Sequence, residues 1–131
     1  MDETGNQSCH DEAAAFRWAA SHVGPILRCD AISDRVQTIV TSRQLQFHSH
    51  TADADYAAVA DVLEVSSSAL VRVRQVHGRE VLVLGPRDQA PPPGEVAADA
   101  IVSMNPRLVP SVRVADCVPI LLADDRGRVV A

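Results

Sequence analysis

Lysine is absent from this chain. All 12 basic side chains are arginine, set against 17 Asp and Glu for a formal net charge of −5. That acidic balance excludes a nucleic-acid backbone or an anionic membrane as the main target, because both demand a basic footprint. The all-arginine usage reads first as GC-rich coding, although a guanidinium also suits bidentate anion recognition. Aromatic residues are scarce at 3% (Phe16, Trp18, Phe47 and Tyr56), so the core is built from Val, Ala, Leu and Ile, and the valine richness favours sheet. The cysteines, Cys9, Cys29 and Cys117, are odd in number and widely spaced. They imply no disulfide framework and fit a reducing, cytoplasmic setting. No apolar run approaches the roughly 18 residues of a membrane span. The apolar stretch at 13–20 follows acidic residues, the wrong sign for a secretory leader.

With 131 residues, 47% hydrophobic and 22% charged, the chain is expected to form one globular domain. Residues 1–10 are polar and read as frayed. Residues 11–23 read as a short helix with acids in its first turn, ended by Gly24-Pro25. Residues 26–32 are ambiguous. Residues 35–47 are rich in β-branched side chains and predict a strand. The clearest helix covers 51–65: Thr51 or Asp53 can cap it, and Tyr56, Val59, Ala60 and Leu63 share one face. Strands are expected at 70–76 and 81–84, flanking a hairpin or sharp corner at His77-Gly78-Arg79-Glu80. A surface loop spans 85–94, with three prolines that cannot join a central ladder. Further strands are expected at 99–104, 111–115 and 118–123, with turns at Asn105-Pro106 and at 124–127. A last strand begins at 128. A chain that stops inside an apolar strand leaves an unpaired edge, so a continuation beyond Ala131 is expected. The fold class is α/β with mixed sheets and flanking helices, incomplete at its C-terminal end. Residues 1–25 form an extension and 26–131 the start of a single domain.

Familiar signatures such as a P-loop, G-x-S-x-G, H-E-x-x-H and C-x-x-C are missing. Reactive side chains stand instead at breaks in strands. His77 occupies the corner Gln75-Val76-His77-Gly78, exposed enough to bind a ligand; a plain surface turn is the alternative. Cys117 lies in Val114-Ala115-Asp116-Cys117-Val118-Pro119. It is either a buried inert thiol or a ligand on a bulged or edge strand, as Pro119 requires. A carboxylate beside a thiol raises its pKa, whereas a metal ion or an imidazolium lowers it. His48 and His50 alternate as a chelating pair would, or as a solvated strand end. Cys9, His10, His22 and Cys29 carry no pattern. Arg43, after Val40-Thr41-Ser42, is either an anion contact or a surface residue.

Taken in order, Val73-Arg74-Gln75-Val76-His77-Gly78, Ala98-Asp99-Ala100-Ile101-Val102-Ser103 and Val114-Ala115-Asp116-Cys117-Val118-Pro119-Ile120-Leu121-Leu122 resemble the YfiH/laccase-domain family. Its members have been labelled polyphenol oxidases and, more recently, purine nucleoside phosphorylases. Thr41-Ser42-Arg43 matches the family's Thr-Thr-Arg element with one change, and the likeness runs from about Cys29 to Ala131. The resemblance implies a Zn2+ site of two histidines and one cysteine, with His77 and Cys117 as metal-binding and catalytic residues. The third ligand belongs to a His-x-Gly-Trp-Arg-Gly segment beyond Ala131. It further implies phosphorolysis of purine nucleosides (adenosine, inosine, guanosine) by phosphate, together with adenosine deamination. Arg43 is the candidate phosphate or substrate contact. Three protein ligands with an open fourth position is the catalytic pattern for zinc, and a zinc ion would deprotonate Cys117 despite Asp116. With two ligands only, the chain as written is expected to bind zinc sub-stoichiometrically, to be weakly active or inactive, and to aggregate. Competing readings are a metal-independent hydrolase using a Cys117–His77 pair, a Cu2+-dependent phenol oxidase, and a non-enzymatic remnant or small binding domain.

Overall fold

Gly24 turns the chain at φ +92, a left-handed conformation in which a Cβ would lie 2.8 Å from the Gln44 side chain. The Ser21 hydroxyl completes the turn by donating to the Gly24 carbonyl at 2.6 Å. In the computed structural model, which describes residues 15–131, this turn joins β1 (Phe16–Ala19) to β2 (Ile26–Cys29). The two strands pair antiparallel from Phe16↔Cys29 to Ala19↔Ile26. The helix expected over 11–23 is therefore a strand at 16–19, while 1–14 lie outside the described residues. Alanine content favours helix locally, but the Gly24 turn and the β2 ladder decide the outcome. A 3-10 turn at Asp30–Ile32 ends β2. Of the strand expected over 35–47, only β3 (Val40–Thr41) pairs, through Ile26↔Thr41 and Leu27↔Val40. Further along β2 the Cys29 N–H goes to the Thr38 hydroxyl at 3.3 Å rather than to a ladder carbonyl, and Arg35 and Val36 donate to the Ile32 carbonyl.

The chain divides into two compact units, Met1–Leu45 and Gln46–Ala131. The second opens with α1 (Ala52–Leu63), whose buried residues Tyr56, Val59, Ala60 and Leu63 are the expected face. Neither suggested cap is used: the Thr51 side chain makes no cap bond and instead donates to Asp55 at 3.1 Å. Asp55 also accepts the Phe47 N–H at 2.9 Å, fixing the approach to the helix. Glu64 closes α1 in the left-handed region, at φ 57.

Four short strands follow: β4 (Leu70–Arg72), β5 (Val81–Leu84), β6 (Ala100–Ser103) and β7 (Val109–Ser111). β4 pairs parallel with β7, and β5 pairs parallel with β6. Val71, Val73, Leu84, Ala98 and Ile101 form the buried cluster between them, with Val71 fully buried. The Ser111 hydroxyl adds a side-chain bond to the β4–β7 pair, donating to the Val71 carbonyl at 2.6 Å. Mixed pairing and one helix place the molecule in the α/β class.

The strands expected at 111–115 and 118–123 do not form. β7 ends at Ser111, and Val118, Ile120 and Leu122 are 86%, 72% and 61% exposed. Their apolar pattern finds no ladder among the described residues. The turn at 124–127 does form: Gly127 donates to the Asp124 carbonyl at 3.1 Å. It returns Val130 to single bridges with Ala123 and Ser103 rather than to a full strand.

Candidate functional site

One extended segment, residues 96–103, organises the second unit. Arg74 bridges to Ala97 in parallel fashion, and Val81 pairs with Ala100. Seven residues from Arg74 to Val81 thus span the length of three on the partner, so four are looped out. His77 stands at the crest of this excursion. It is a corner and not a hairpin, because β4 and β5 pair with other strands and not with each other.

Asp99 holds the corner from beneath. Its carboxylate accepts the N–H groups of Val76 at 3.1 Å, His77 at 2.9 Å and Gly78 at 2.7 Å. Three successive amides turned toward one anion require an unusual backbone, and His77 adopts φ 56. The Gly78 amide, opposed by desolvation and joined by the His77 and Val76 amides and the His77 charge, holds the Asp99 carboxyl below the usual carboxylate range. The His77 ring stays exposed above this clamp.

Gln75 ties the corner to the segment leading to Cys117. Its side-chain amide donates to the Arg113 carbonyl at 2.8 Å and accepts the Arg113 N–H at 2.8 Å. The side chain thereby extends the β4–β7 pairing past the last ladder residues, Arg72 and Ser111. Chain length alone bounds the reach: His77 lies within about 7 Å of Gln75, and Cys117 within about 14 Å of Arg113.

Cys117 is an exposed free thiol, so the buried alternative is excluded; Cys29 is also free and partly buried. Among the described residues, no group of three or more His, Cys, Asp or Glu side chains is placed to hold a metal ion. An exposed imidazole and an exposed thiol are donors of the type zinc or copper takes, two in number where catalytic zinc takes three. His48 and His50 are not a chelating pair on a strand. Their exposed rings stack at 5.8 Å in the turn before α1, where Thr51 donates to the His48 carbonyl. Arg43 is exposed in the first unit and borders an open depression with Trp18, Pro25, Ser42 and Gln44.

Sequence reasoning quoted Asp99 and Gln75 but assigned them no task. The signal was present: a lone acid before a buried strand, and an amide two residues ahead of a His-Gly corner. Arg72, Arg74 and Arg113, which share a cleft in the second unit with Tyr56, Val73, Pro93 and Gly94, were also passed over.

Residues 28–131 match the family model described as multi-copper polyphenol oxidoreductase laccase. A purine nucleoside phosphorylase of Corynebacterium glutamicum is 39% identical over 75 residues, covering 56% of this chain and 29% of the relative. Similar proteins carrying that name in Mycobacterium tuberculosis and Streptomyces coelicolor are 38% identical over 79 residues and 39% over 82. These alignments cover 60% and 62% of this chain, and 30% and 32% of the relatives. The match therefore spans less than a third of each relative's length. No solved structure matches the chain significantly.

Proposed function

The chain belongs to the multi-copper polyphenol oxidoreductase laccase family, and from that premise we propose that it carries part of the active site of a zinc-dependent purine nucleoside phosphorylase. The substrates in this reading are phosphate and adenosine, inosine or guanosine, with deamination of adenosine as a second activity in the cytoplasm. His77 and Cys117 are the metal-binding pair, and the third donor comes from a segment after Ala131. Residues 26–131 are then the opening part of one longer domain. Zinc, when bound, supplies Lewis acidity at an open coordination position.

The chain's own residues do the positioning. Asp99 fixes the backbone that presents the His77 ring, and Gln75 holds the segment that leads toward Cys117. Arg43 is the candidate substrate contact. The observation that supports the reading most directly is this double tether of the two candidate ligands. Among the described residues no helix is long and apolar enough to cross a membrane.

The test uses two polypeptides: this 131-residue chain, and the same chain continued to the length of its relatives. The longer one is expected to release purine base from inosine only when phosphate is supplied. Chelation, His77→Ala and Cys117→Ser should each abolish that release. The shorter one should hold less than one zinc per chain, and both substitutions should lower its occupancy. Base release without phosphate, or release that survives both substitutions, overturns the proposal. The family description favours a copper reading as the second possibility; oxygen-dependent oxidation of phenols after zinc loading would establish it.

A further inference from the structure

The second unit contains a cleft of about 160 Å3 walled by Tyr56, Arg72, Val73, Arg74, Pro93, Gly94 and Arg113. Three of those residues are guanidinium side chains on adjoining positions. Arg72 and Arg74 alternate along one chain, so they project to the same face. Arg113 lines the same cleft from the segment after β7, and the Gln75 side-chain amide pins its backbone at 2.8 Å. Like charges gathered at one cleft repel unless an anion compensates them.

Acidic compensation is slight. Asp53 pairs with Arg72 at 2.8 Å but is itself 94% exposed, while the Arg72 side chain is 19% exposed. Arg72 lies 4.0 Å above the Tyr56 ring, which holds its guanidinium flat in place. Among the described residues the Arg113 guanidinium donates one hydrogen bond, to the Phe47 carbonyl at 3.4 Å. Arg74 makes no side-chain hydrogen bond among the described residues and is exposed. Two guanidinium groups with spare donors therefore face one cleft beside a third that is rigidly seated. Guanidinium forks match the spacing of phosphoryl and carboxylate oxygens.

Size narrows the ligand. The cleft lies below the 300–1,000 Å3 typical of sites that enclose a drug-sized molecule. At about 30 Å3 per water molecule, it has room for a tetrahedral anion with a few waters. We propose that Arg72, Arg74 and Arg113 form the seat of a phosphate dianion. The anion site stands on this geometry, and calling its occupant the co-substrate of phosphorolysis rests on the function proposed above. Arg74 and Arg113 lie three and four residues from His77 and Cys117, so the anion would sit beside the candidate metal-binding pair.

Direct titration of the 131-residue chain with inorganic phosphate, followed by calorimetry or phosphorus NMR, provides the test. Saturable binding is expected, weakened at least tenfold by Arg74→Gln and by Arg113→Gln. Arg87→Gln, the same charge change in the 85–94 loop, should leave it unaltered. Unchanged thermal midpoints would show that the variants still fold. Binding should also survive chelation; loss on chelation with indifference to both arginine substitutions overturns the cleft assignment. So does an absence of saturable binding. In the longer polypeptide, the phosphate KM should rise in both variants while the inosine KM holds; an unchanged phosphate KM overturns the assignment and leaves the nucleoside reading standing. Arginine-dependent phosphate binding without nucleoside turnover sustains the anion site and removes the phosphorolysis reading. Pentose 1-phosphate, titrated in parallel, distinguishes an inorganic anion from a phosphate ester.

Discussion

Gln75 and Arg113 pair through both ends of one side-chain amide, a contact that imitates two rungs of backbone ladder between strands that have already separated. Replacing the amide removes both bonds at once. Gln75→Ala is expected to lower stability by about 1–2 kcal/mol, as two net hydrogen bonds partly open to water would. Gln75→Glu should recover only the half in which Arg113 donates. Urea unfolding of the three proteins measures the difference, and equal stability of all three would contradict the pairing.

Asp99 governs the His77 corner, and its substitution should disturb that corner before anything else. Asp99→Asn offers one acceptor oxygen where three amides converge. Faster hydrogen exchange at Val76, His77 and Gly78 is expected, with residues 81–84 keeping their protection. In the longer polypeptide, zinc affinity should fall 10- to 100-fold, as when a group orienting a metal ligand is removed. Uniform exchange across the second unit would point instead to global destabilisation.

The same carboxylate sets a pH dependence of definite sign. Its folded pKa is lowered, first by the Gly78 amide, so its contribution is fully present above the unfolded value of about 3.9. It is lost as the pH falls from there through the lowered folded value. Asp124 is lowered likewise, first by the Val129 amide, and acts in the same window. Amide shifts of 76–78 should titrate with a midpoint below 3.9, and Asp99→Asn should abolish that transition. A midpoint above 3.9 would reverse the sign and refute the clamp.

In the core, Val71→Ala removes two methyl groups from a fully buried position. A loss of about 2–3 kcal/mol is expected from transfer and cavity terms together. At the end of α1, Glu64 sits at φ 57, so Glu64→Gly should raise stability by about 0.5–1 kcal/mol. Thermal unfolding reads both changes, which are opposite in direction.

These contrasts also explain what was legible in the amino-acid order. The buried face of α1 could be read directly, because local periodicity and burial agree there, and the bounds of β5 because a short apolar run stands between turn signals. β1 could not, since its alanines favour helix and only the distant β2 partner makes it a strand. Residues 112–121 carry an apolar alternation that joins no ladder among the described residues, so propensity overstated them. His77 and Cys117 stood out as residue types at chain breaks. What holds them did not, because the Asp99 clamp and the Gln75 tether join positions 21–23 and 38 residues apart. The arginine cleft escaped for a similar reason: Arg113 reaches Arg72 and Arg74 through the fold, held near Gln75 from 38 residues away.

The looped-out excursion between Arg74 and Val81 makes the molecule editable in two independent ways. β4 takes its alignment from β7, with Arg74 bridged to Ala97, and β5 takes its own from β6, so neither flanking strand is aligned by the other. A residue added or removed near Arg79 can therefore shift the imidazole without sliding a strand. Insertion scanning at this one point would yield proteins that fold alike and differ only in where their reactive group stands.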